Sequence, residues 1–422
     1  MNSLWMTIAW NLVGLTVPKP VFIVPSAIQT KDHQKTFISR EIFPPERPPN
    51  FLDKENECRS EFSNNYSDIN KKQSKITDPA VLQLKFSRNS LPTPSKVKGI
   101  YLTGYSLSDK KKRTALFKLI KDTELNTVVI DFQDPDGNLM FPVRNRILQK
   151  IPLSEIALTR EKFREILRDL QKNKIYTIAR ITTFQDEGAV RAFPELTLQS
   201  KWGGIWKNYK NLGWLDMTNA KAWEIPFKKA IEAAQIGFDE VQFDYIRFPT
   251  DGNLKWISYA NLNNRKKYEV LSDFFKFLKD NQKDIGVPIS ADLFGITYEW
   301  YSSANFSRDL AIGQRLIDAV KYFDYLSPMI YPSHYASGYA GYKNPANFPY
   351  QVVNKALRNG HKMIKTHTKQ SVSKSRPWLQ AFNLGAVYDY HKIRAEIKAV
   401  NDNQASGWLL WNARNVYDQA FK

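Results

Sequence analysis

The sequence predicts a (β/α)8 TIM barrel over residues 97–422, preceded by a largely disordered N-terminal segment. The first observation is that eight strand patterns alternate with seven helix patterns, which implies parallel strands joined by right-handed crossovers. The second is that polar strand residues recur on one parity, as expected where one face of each strand lines a barrel. The third is that no glycine-rich phosphate loop follows the first strand, which disfavours a doubly wound sheet, the alternative fold.

The region before the barrel is predicted to hold an export segment and a linker. Residues 1–28 have the character of a signal peptide or membrane anchor, because residues 4–17 are apolar and Lys19 is the one charged residue before position 28. A misassigned start codon is the alternative explanation for the missing basic residues. Residues 29–96 are rich in proline and polar runs without periodicity, which predicts a disordered linker. An exported or envelope-associated location follows as an expectation.

Within the barrel, strands and helices are predicted from apolar periodicity and from capping residues, with Asp109 as one N-cap and Gly360 near a helix end. The predicted strands comprise residues 97–106, 127–134, 175–184, the stretch that opens 240–249, 288–295, 325–335, 377–384 and 407–413. The predicted helices comprise residues 110–122, 160–173, 219–234, 264–283, 310–322, 350–360 and 389–401, with a short last helix at most after Val416.

Composition limits the classes of function. A hydrophobic content of 42% over 422 residues is enough for a large core. The single cysteine, Cys58, excludes an internal disulfide framework and a zinc–thiolate site, and five histidines make a histidine-rich metal centre a poor expectation, so no cofactor is predicted. The net charge of +19 permits nucleic acid, anionic lipid or acidic polysaccharide as a partner, and is equally consistent with a basic surface that has no dedicated partner.

Carboxylates recur at the predicted strand ends. The single-parity polar residues are Asp131 and Gln133, Arg180 and Thr182, Gln242 and Asp244, Ser290 and Asp292, and Gln380. If these sides face inward, their later members converge at the C-terminal mouth, where barrel enzymes keep their chemistry. One buried Asp could be structural, but three at the ends of three strands favour a catalytic mouth.

Two carboxylates in one cavity suit general acid/base chemistry on glycosidic bonds, without metal or cofactor. Asp244 is the candidate nucleophile or charge stabiliser, and Arg247, three residues on, is expected to keep it ionised. Asp292 is the candidate proton donor, and Glu299, in the following loop, competes for that role. Asp131 is an alternative base or a ligand of sugar hydroxyls.

Aromatic and polar residues near the mouth are candidate substrate contacts. The predicted substrate-binding residues are Asp131, Arg180, Arg247, Tyr331, Gln380 and Trp411. The predicted loops add Trp202, Trp206, Tyr209, Trp214, Tyr298, Trp300, Tyr301, Tyr335, Tyr339 and Tyr342. Flat rings with polar tips suit the apolar faces of sugars, and they suit nucleobases as well.

The motif FDYIRFP after GFDEVQ, with IDFQDPDG upstream and SADLFG downstream, resembles the bacterial glycosyl hydrolase domain family, a family related to alpha-amylase-like and chitinase-like barrels. The resemblance covers residues 97–422 and implies a barrel with a glycosidase-type site. It matches Asp244 to the strand-four nucleophile of amylase-like barrels. Asp292 stands in strand five, where those enzymes place a Glu donor. Ile246 stands where chitinase-like enzymes have a Glu, which argues against their substrate-assisted mechanism.

The sequence therefore predicts an exported barrel that cleaves a polysaccharide or oligosaccharide, with an anionic envelope surface as a candidate further partner. A barrel of the same shape that binds glycan without cleaving it is the first alternative. A basic nucleic-acid-binding protein is the second. It is disfavoured because the lysines are scattered and form no basic helix.

Overall fold

The computed structural model describes residues 90–299 and 309–421. The predicted signal peptide or anchor and the predicted linker as far as residue 89 lie outside the described residues, as do Trp300 and Tyr301. Residues 90–96 contain no helix or strand. None of the helices in the described ranges has the length and apolar character needed to cross a bilayer.

Eight parallel strands close into a barrel in which each strand pairs with its neighbours in chain order and the last pairs with the first, confirming the predicted fold. The strands are β1 Val97–Leu102, β2 Thr127–Asp131, β3 Tyr176–Thr182, β4 Glu240–Asp244, β5 Ile289–Phe294, β6 Tyr325–Ile330, β7 Trp378–Gln380 and β8 Gly407–Trp411. Outside the barrel, Gln199–Ser200 pairs antiparallel with Ile257–Ser258, which joins the loops after β3 and β4.

Helices connect the strands. They are α1 Gly104–Ser108, α2 Lys110–Asp122, α3 Arg160–Lys172, α4 Glu187–Ala192, α5 Ala220–Ile236, α6 Lys267–Asp280, α7 Gln282–Ile285, α8 Leu316–Tyr322, α9 Pro349–His367, α10 Tyr390–Asp402 and α11 Asp418–Phe421. The predicted cap is confirmed, because the Asp109 carboxylate accepts the Lys112 backbone N–H at 3.0 Å.

Two predicted helix boundaries are wrong, one for a local reason and one because of a distant contact. The helix expected at residues 310–322 begins only at Leu316, because Leu310 and Ala311 have φ values of 55° and 56°, which no right-handed helix accommodates. Gly360 does not lie at a helix end but inside α9, where an added Cβ would come within 2.0 Å of the Tyr298 ring. Glycine at position 360 allows the Tyr298 ring to pack closely against α9 and does not end the helix.

Strand parity divides the core into two layers. Outward side chains such as Ile130 and Phe243 pack in a cluster with the surrounding helices. Inward side chains such as Val129, Trp378 and Leu409 form a separate cluster inside the barrel. The predicted rule that one parity fills the barrel therefore describes the strands.

A buried ion pair occupies the lower interior, at the N-terminal end of the strands. Glu240, the first residue of β4, binds the Arg376 guanidinium through both carboxylate oxygens, and both side chains are 0% exposed. The Tyr176 and Ser290 hydroxyls donate to the same carboxylate at 3.1 and 2.6 Å. This carboxylate is fully satisfied by the protein.

Candidate active site

Three strand ends hold a chain of charges at the C-terminal mouth. Arg180, on β3, lies between Asp131 on β2 and Asp244 on β4. Its Nη1 donates to Asp131 Oδ1 at 2.8 Å, and its Nη2 and Nε donate to Asp244 Oδ2 at 2.6 and 3.1 Å. One guanidinium thus stabilises the charge of two buried carboxylates.

The chain turns sharply directly after Asp244. Tyr245 has φ 53°, the left-handed conformation that costs a bulky residue about 1–3 kcal/mol. The Tyr245 backbone N–H donates to Asp244 Oδ1 at 2.6 Å, and the Thr183 N–H donates to the Asp244 carbonyl at 2.9 Å. Both Asp244 carboxylate oxygens therefore have donors, and the carboxylate orientation is held by the strained turn.

Asp292, on β5, lies beside this chain but has a different environment. Its side chain is 1% exposed, and the Trp378 indole Nε1 donates to Oδ1 at 2.7 Å. Burial, and then the negative charge of Asp244, raise the pKa of Asp292 well above its usual range, against a smaller opposing effect of Arg180. Asp292 is thus expected to keep its proton to a higher pH than an ordinary carboxyl.

The Asp131 carboxyl is intermediate between these two environments. Burial raises its pKa, while the Arg180 guanidinium and the Tyr101 hydroxyl oppose the rise. Tyr101 donates to Asp131 Oδ2 at 2.5 Å. Since Asp131 is bound on both oxygens by protein groups, its geometry favours a role in holding Arg180.

Aromatic rings line the mouth around these charges. Trp411, at the end of β8, stacks on Tyr101 with ring centroids 4.0 Å apart, and Trp378 meets Trp411 edge-on at 5.5 Å. Arg180 lies 5.2 Å from the Trp411 ring centroid. Tyr331, just after β6, is 7% exposed, and the charges of Asp292 and Asp244 add to burial in raising the pKa of its hydroxyl. The structure brings both predicted rings to the acidic cluster.

Arg247 does not form an ion pair with Asp244, the residue it was expected to keep ionised. Among the described residues it forms no ion pair, and the guanidinium that pairs with Asp244 is that of Arg180. The reason is the turn at Tyr245, which takes the chain away from the strand direction before Arg247 is reached. Arg247 is instead 3% exposed and packs on three rings, with centroids at 4.7 Å for Phe294, 5.1 Å for Trp214 and 5.2 Å for Tyr245.

Glu299 has contacts that involve none of the three clustered aspartates. It accepts a hydrogen bond from the Tyr339 hydroxyl and one from Asn359 Nδ2 at 3.1 Å. Asn359 belongs to α9, so Glu299 ties the loop after β5 to that helix. Burial raises the pKa of Glu299.

Two amides expected at the mouth are also engaged elsewhere. Gln380 donates to the Phe382 and Leu384 carbonyls and accepts the Ser333 backbone N–H, so it joins the loops after β6 and β7. Gln133 accepts a hydrogen bond from Lys229, a buried residue of α5, at 3.0 Å, because β2 ends before it.

The predicted aromatic loops divide by exposure. Trp206 and Trp214 are buried, at 3% and 0%, whereas Trp202 and Tyr209 are 79% and 76% exposed. Tyr298 is fully buried against α9. Trp202 and Tyr209 therefore expose most of their surface to solvent.

Tyr101 and Trp378 are site residues that the sequence analysis missed. A signal existed for Trp378, since it shares the parity of Gln380 on β7. Tyr101 could have been found, because its position in β1, paired with β2 and β8, places it on the inward face with its neighbour Val129. However, no polar residue marked that strand. Nor does any group of three His, Cys, Asp or Glu within residues 90–299 and 309–421 have the arrangement to hold a metal ion.

Comparisons with known proteins identify the same kind of barrel. The family model described as "Putative glycosyl hydrolase domain" matches residues 99–417. A hypothetical protein from Ruminiclostridium thermocellum ATCC 27405 is 31% identical, with a TM-score of 0.41, over 46% of this chain and 96% of its own. The PgaB (BpsB) glycoside hydrolase domain from Bordetella bronchiseptica is 16% identical, with a TM-score of 0.50, over 76% of this chain and 94% of its own. No curated protein sequence matches the chain.

Proposed function

The chain belongs to this glycosyl hydrolase domain family, and from that premise we propose that it hydrolyses O-glycosidic bonds of a polysaccharide with Asp244 and Asp292 as the catalytic pair. The observation that carries the proposal is the contrast between two neighbouring carboxyls. Asp244 is bound by a guanidinium, while Asp292 is buried next to a negative charge, and both effects raise its pKa. Two carboxyls in opposite protonation states are what acid-assisted glycoside cleavage requires.

In this mechanism, Asp292 transfers its proton to the glycosidic oxygen as the bond from that oxygen to the anomeric carbon breaks. The positive charge that develops on the sugar ring is met by the Asp244 carboxylate, as a nucleophile or as a charge stabiliser. A water molecule then supplies the hydroxyl of the new reducing end, and its proton returns to the acid residue. Trp378 donates to the ionised form of Asp292 and so makes the proton easier to release.

The remaining residues of the cluster hold the pair and the sugar. Arg180 orients Asp244 and is itself held by Asp131. The groups that would contact a sugar ring at the mouth are the Trp411 ring and the Tyr331 hydroxyl. No described residue forms a hydrogen bond with that hydroxyl. Glu299 is left out of the proposed mechanism because Tyr339 and Asn359 occupy both its oxygens.

The test is release of reducing ends from a panel of bacterial envelope and storage polysaccharides by the full chain and by the Asp244→Asn variant. Product formed by the wild type and not by the variant would support the proposal. Tight glycan binding by both proteins without product from either would reject the enzyme and leave a glycan-binding barrel.

We also propose that the protein acts outside the cytoplasm, at the envelope. The apolar residues 4–17 and the proline-rich segment to residue 96 support this location. Cell fractionation with an antibody to the barrel would test it, and recovery solely with the cytoplasmic fraction would contradict it.

A further inference from the structure

The mouth contains a second buried guanidinium, that of Arg247, whose environment differs from that of Arg180. Arg180 is shared by two carboxylates, so its hydrogen-bonding capacity is directed at the protein. Arg247 is more deeply buried, at 3% exposure, but pairs with no described carboxylate.

The hydrogen bonds of Arg247 use one of its three nitrogens. Nη1 donates to the Phe248 carbonyl at 3.1 Å and to the Thr250 hydroxyl at 3.2 Å. Nη2 and Nε donate to no described residue. A guanidinium carries five N–H donors in a planar fork, so the side that remains matches a carboxylate or another planar anion.

The surroundings of Arg247 place it at the catalytic mouth. Its guanidinium packs on Tyr245, which directly follows Asp244, and on Phe294, the last residue of β5 and two residues after Asp292. Trp214, from the loop after β3, contacts it from a third side. Three rings orient this guanidinium, and no carboxylate among the described residues forms an ion pair with it, which leaves its charge available to a ligand.

We propose that Arg247 recognises an anionic group on the substrate, and that the chain therefore acts on an acidic polysaccharide, with a hexuronate carboxylate as the expected group. This inference rests on the proposed glycosidase function and adds the substrate class. The net charge of +19 supports the same class, because a basic protein attracts a polyanionic chain. The net charge acts at long range, whereas the Arg247 guanidinium can form direct hydrogen bonds with the anionic group.

The test is binding by calorimetry of oligosaccharides from polygalacturonate, alginate and hyaluronan, each compared with its carboxyl-reduced neutral form. The full chain is used on the Asp244→Asn background, so that ligand is not consumed. We expect at least one acidic ligand to bind about 10- to 100-fold more tightly than its neutral form. Arg247→Gln should remove most of that preference, and Arg247→Lys should retain part of it.

Arg168→Gln, at an exposed position of α3, is the matched control for loss of one positive charge. Equal binding of the acidic and neutral forms by the protein with Arg247 intact would overturn the inference, whatever the variants do to folding. So would an equal loss of preference in Arg168→Gln and Arg247→Gln. Cleavage of neutral glycans without any preference for acidic ones would reject the substrate class and keep the glycosidase. Failure to bind or cleave any glycan would reject both.

Discussion

The two ends of the barrel interior each contain a buried arginine–carboxylate pair, and they use it differently. At the lower end, Glu240 and Arg376 match one charge with one charge, and Tyr176 and Ser290 complete the carboxylate's hydrogen bonds. At the upper end, Asp131 and Asp244 share the single guanidinium of Arg180, and a third aspartate, Asp292, is buried beside them with a raised pKa.

The difference distinguishes structure from chemistry. At the lower end, the carboxylate is matched by one guanidinium and bonded on both oxygens, so it has no place for a ligand. Where carboxylates outnumber cations, repulsion between the negative charges favours keeping one carboxyl protonated. That carboxyl can then act as a general acid beside an ionised neighbour. The two ends therefore differ more in the number of carboxylates near each arginine than in how deeply the charges are buried.

The largest effect is expected from removing a carboxylate at the upper end of the barrel interior. Asp244→Asn removes the carboxylate that Arg180 binds and should reduce kcat by about a thousandfold or more. Reducing-end release measures the loss, and circular dichroism confirms folding. Activity within a few-fold of wild type would show that Asp244 is not the catalytic carboxylate.

Breaking the lower end should give the converse result. Glu240→Gln leaves the Arg376 charge buried without a partner, and we expect a loss of about 3–5 kcal/mol in the free energy of unfolding. The specific activity of the folded fraction should stay close to wild type. Urea denaturation and activity assays on the same sample measure both quantities, and a stable but inactive variant would contradict the assignment.

The pH dependence sharpens the contrast within the upper end. Because Asp292 must be protonated to act, kcat/KM should fall as the pH rises through its raised pKa. Trp378→Phe removes a hydrogen bond that favours the carboxylate, so the pKa of Asp292 should rise further and the basic limb should move to higher pH. An unchanged limb would mean that another group donates the proton.

His334 provides a control for that profile. Burial lowers the pKa of His334 from 6.5 to about 4, so it is neutral wherever Asp292 is expected to titrate. His334→Asn should leave the basic limb in place. A limb near pH 6–7 that disappears in this variant would assign the titration to the histidine instead.

The smallest effect is expected outside the barrel interior. Trp202 is 79% exposed and buries little on folding, so Trp202→Ala should leave the melting temperature almost unchanged. If its ring stacks on a distal sugar, affinity for a long polysaccharide should fall about 3- to 10-fold while affinity for a disaccharide does not change. Equal affinities for the polymer in both proteins would remove Trp202 from the site.

The sequence was sufficient for the fold because the pattern is repeated along the chain. Strand and helix periods alternate from Val97 onward, and caps such as Asp109 and turn signals act locally, so the eight predicted strands and seven predicted helices are present, with errors mainly at their ends. One of these errors came from a distant contact. Gly360 looked like a helix end, and only the Tyr298 ring packed against it explains why it lies mid-helix.

The sequence also determined which carboxylates share the mouth, because a strand period of two and a closed barrel send Asp131, Asp244 and Asp292 to the same place. Only the tertiary structure decided their partners. Arg247 is three residues from Asp244, yet Arg180, 64 positions away, binds it. Glu299 follows Asp292 closely, yet it bonds to α9. Proximity along the chain does not decide which side chains pair. Local backbone turns, such as that at Tyr245, set the direction in which a side chain points, and its partners come from neighbouring strands.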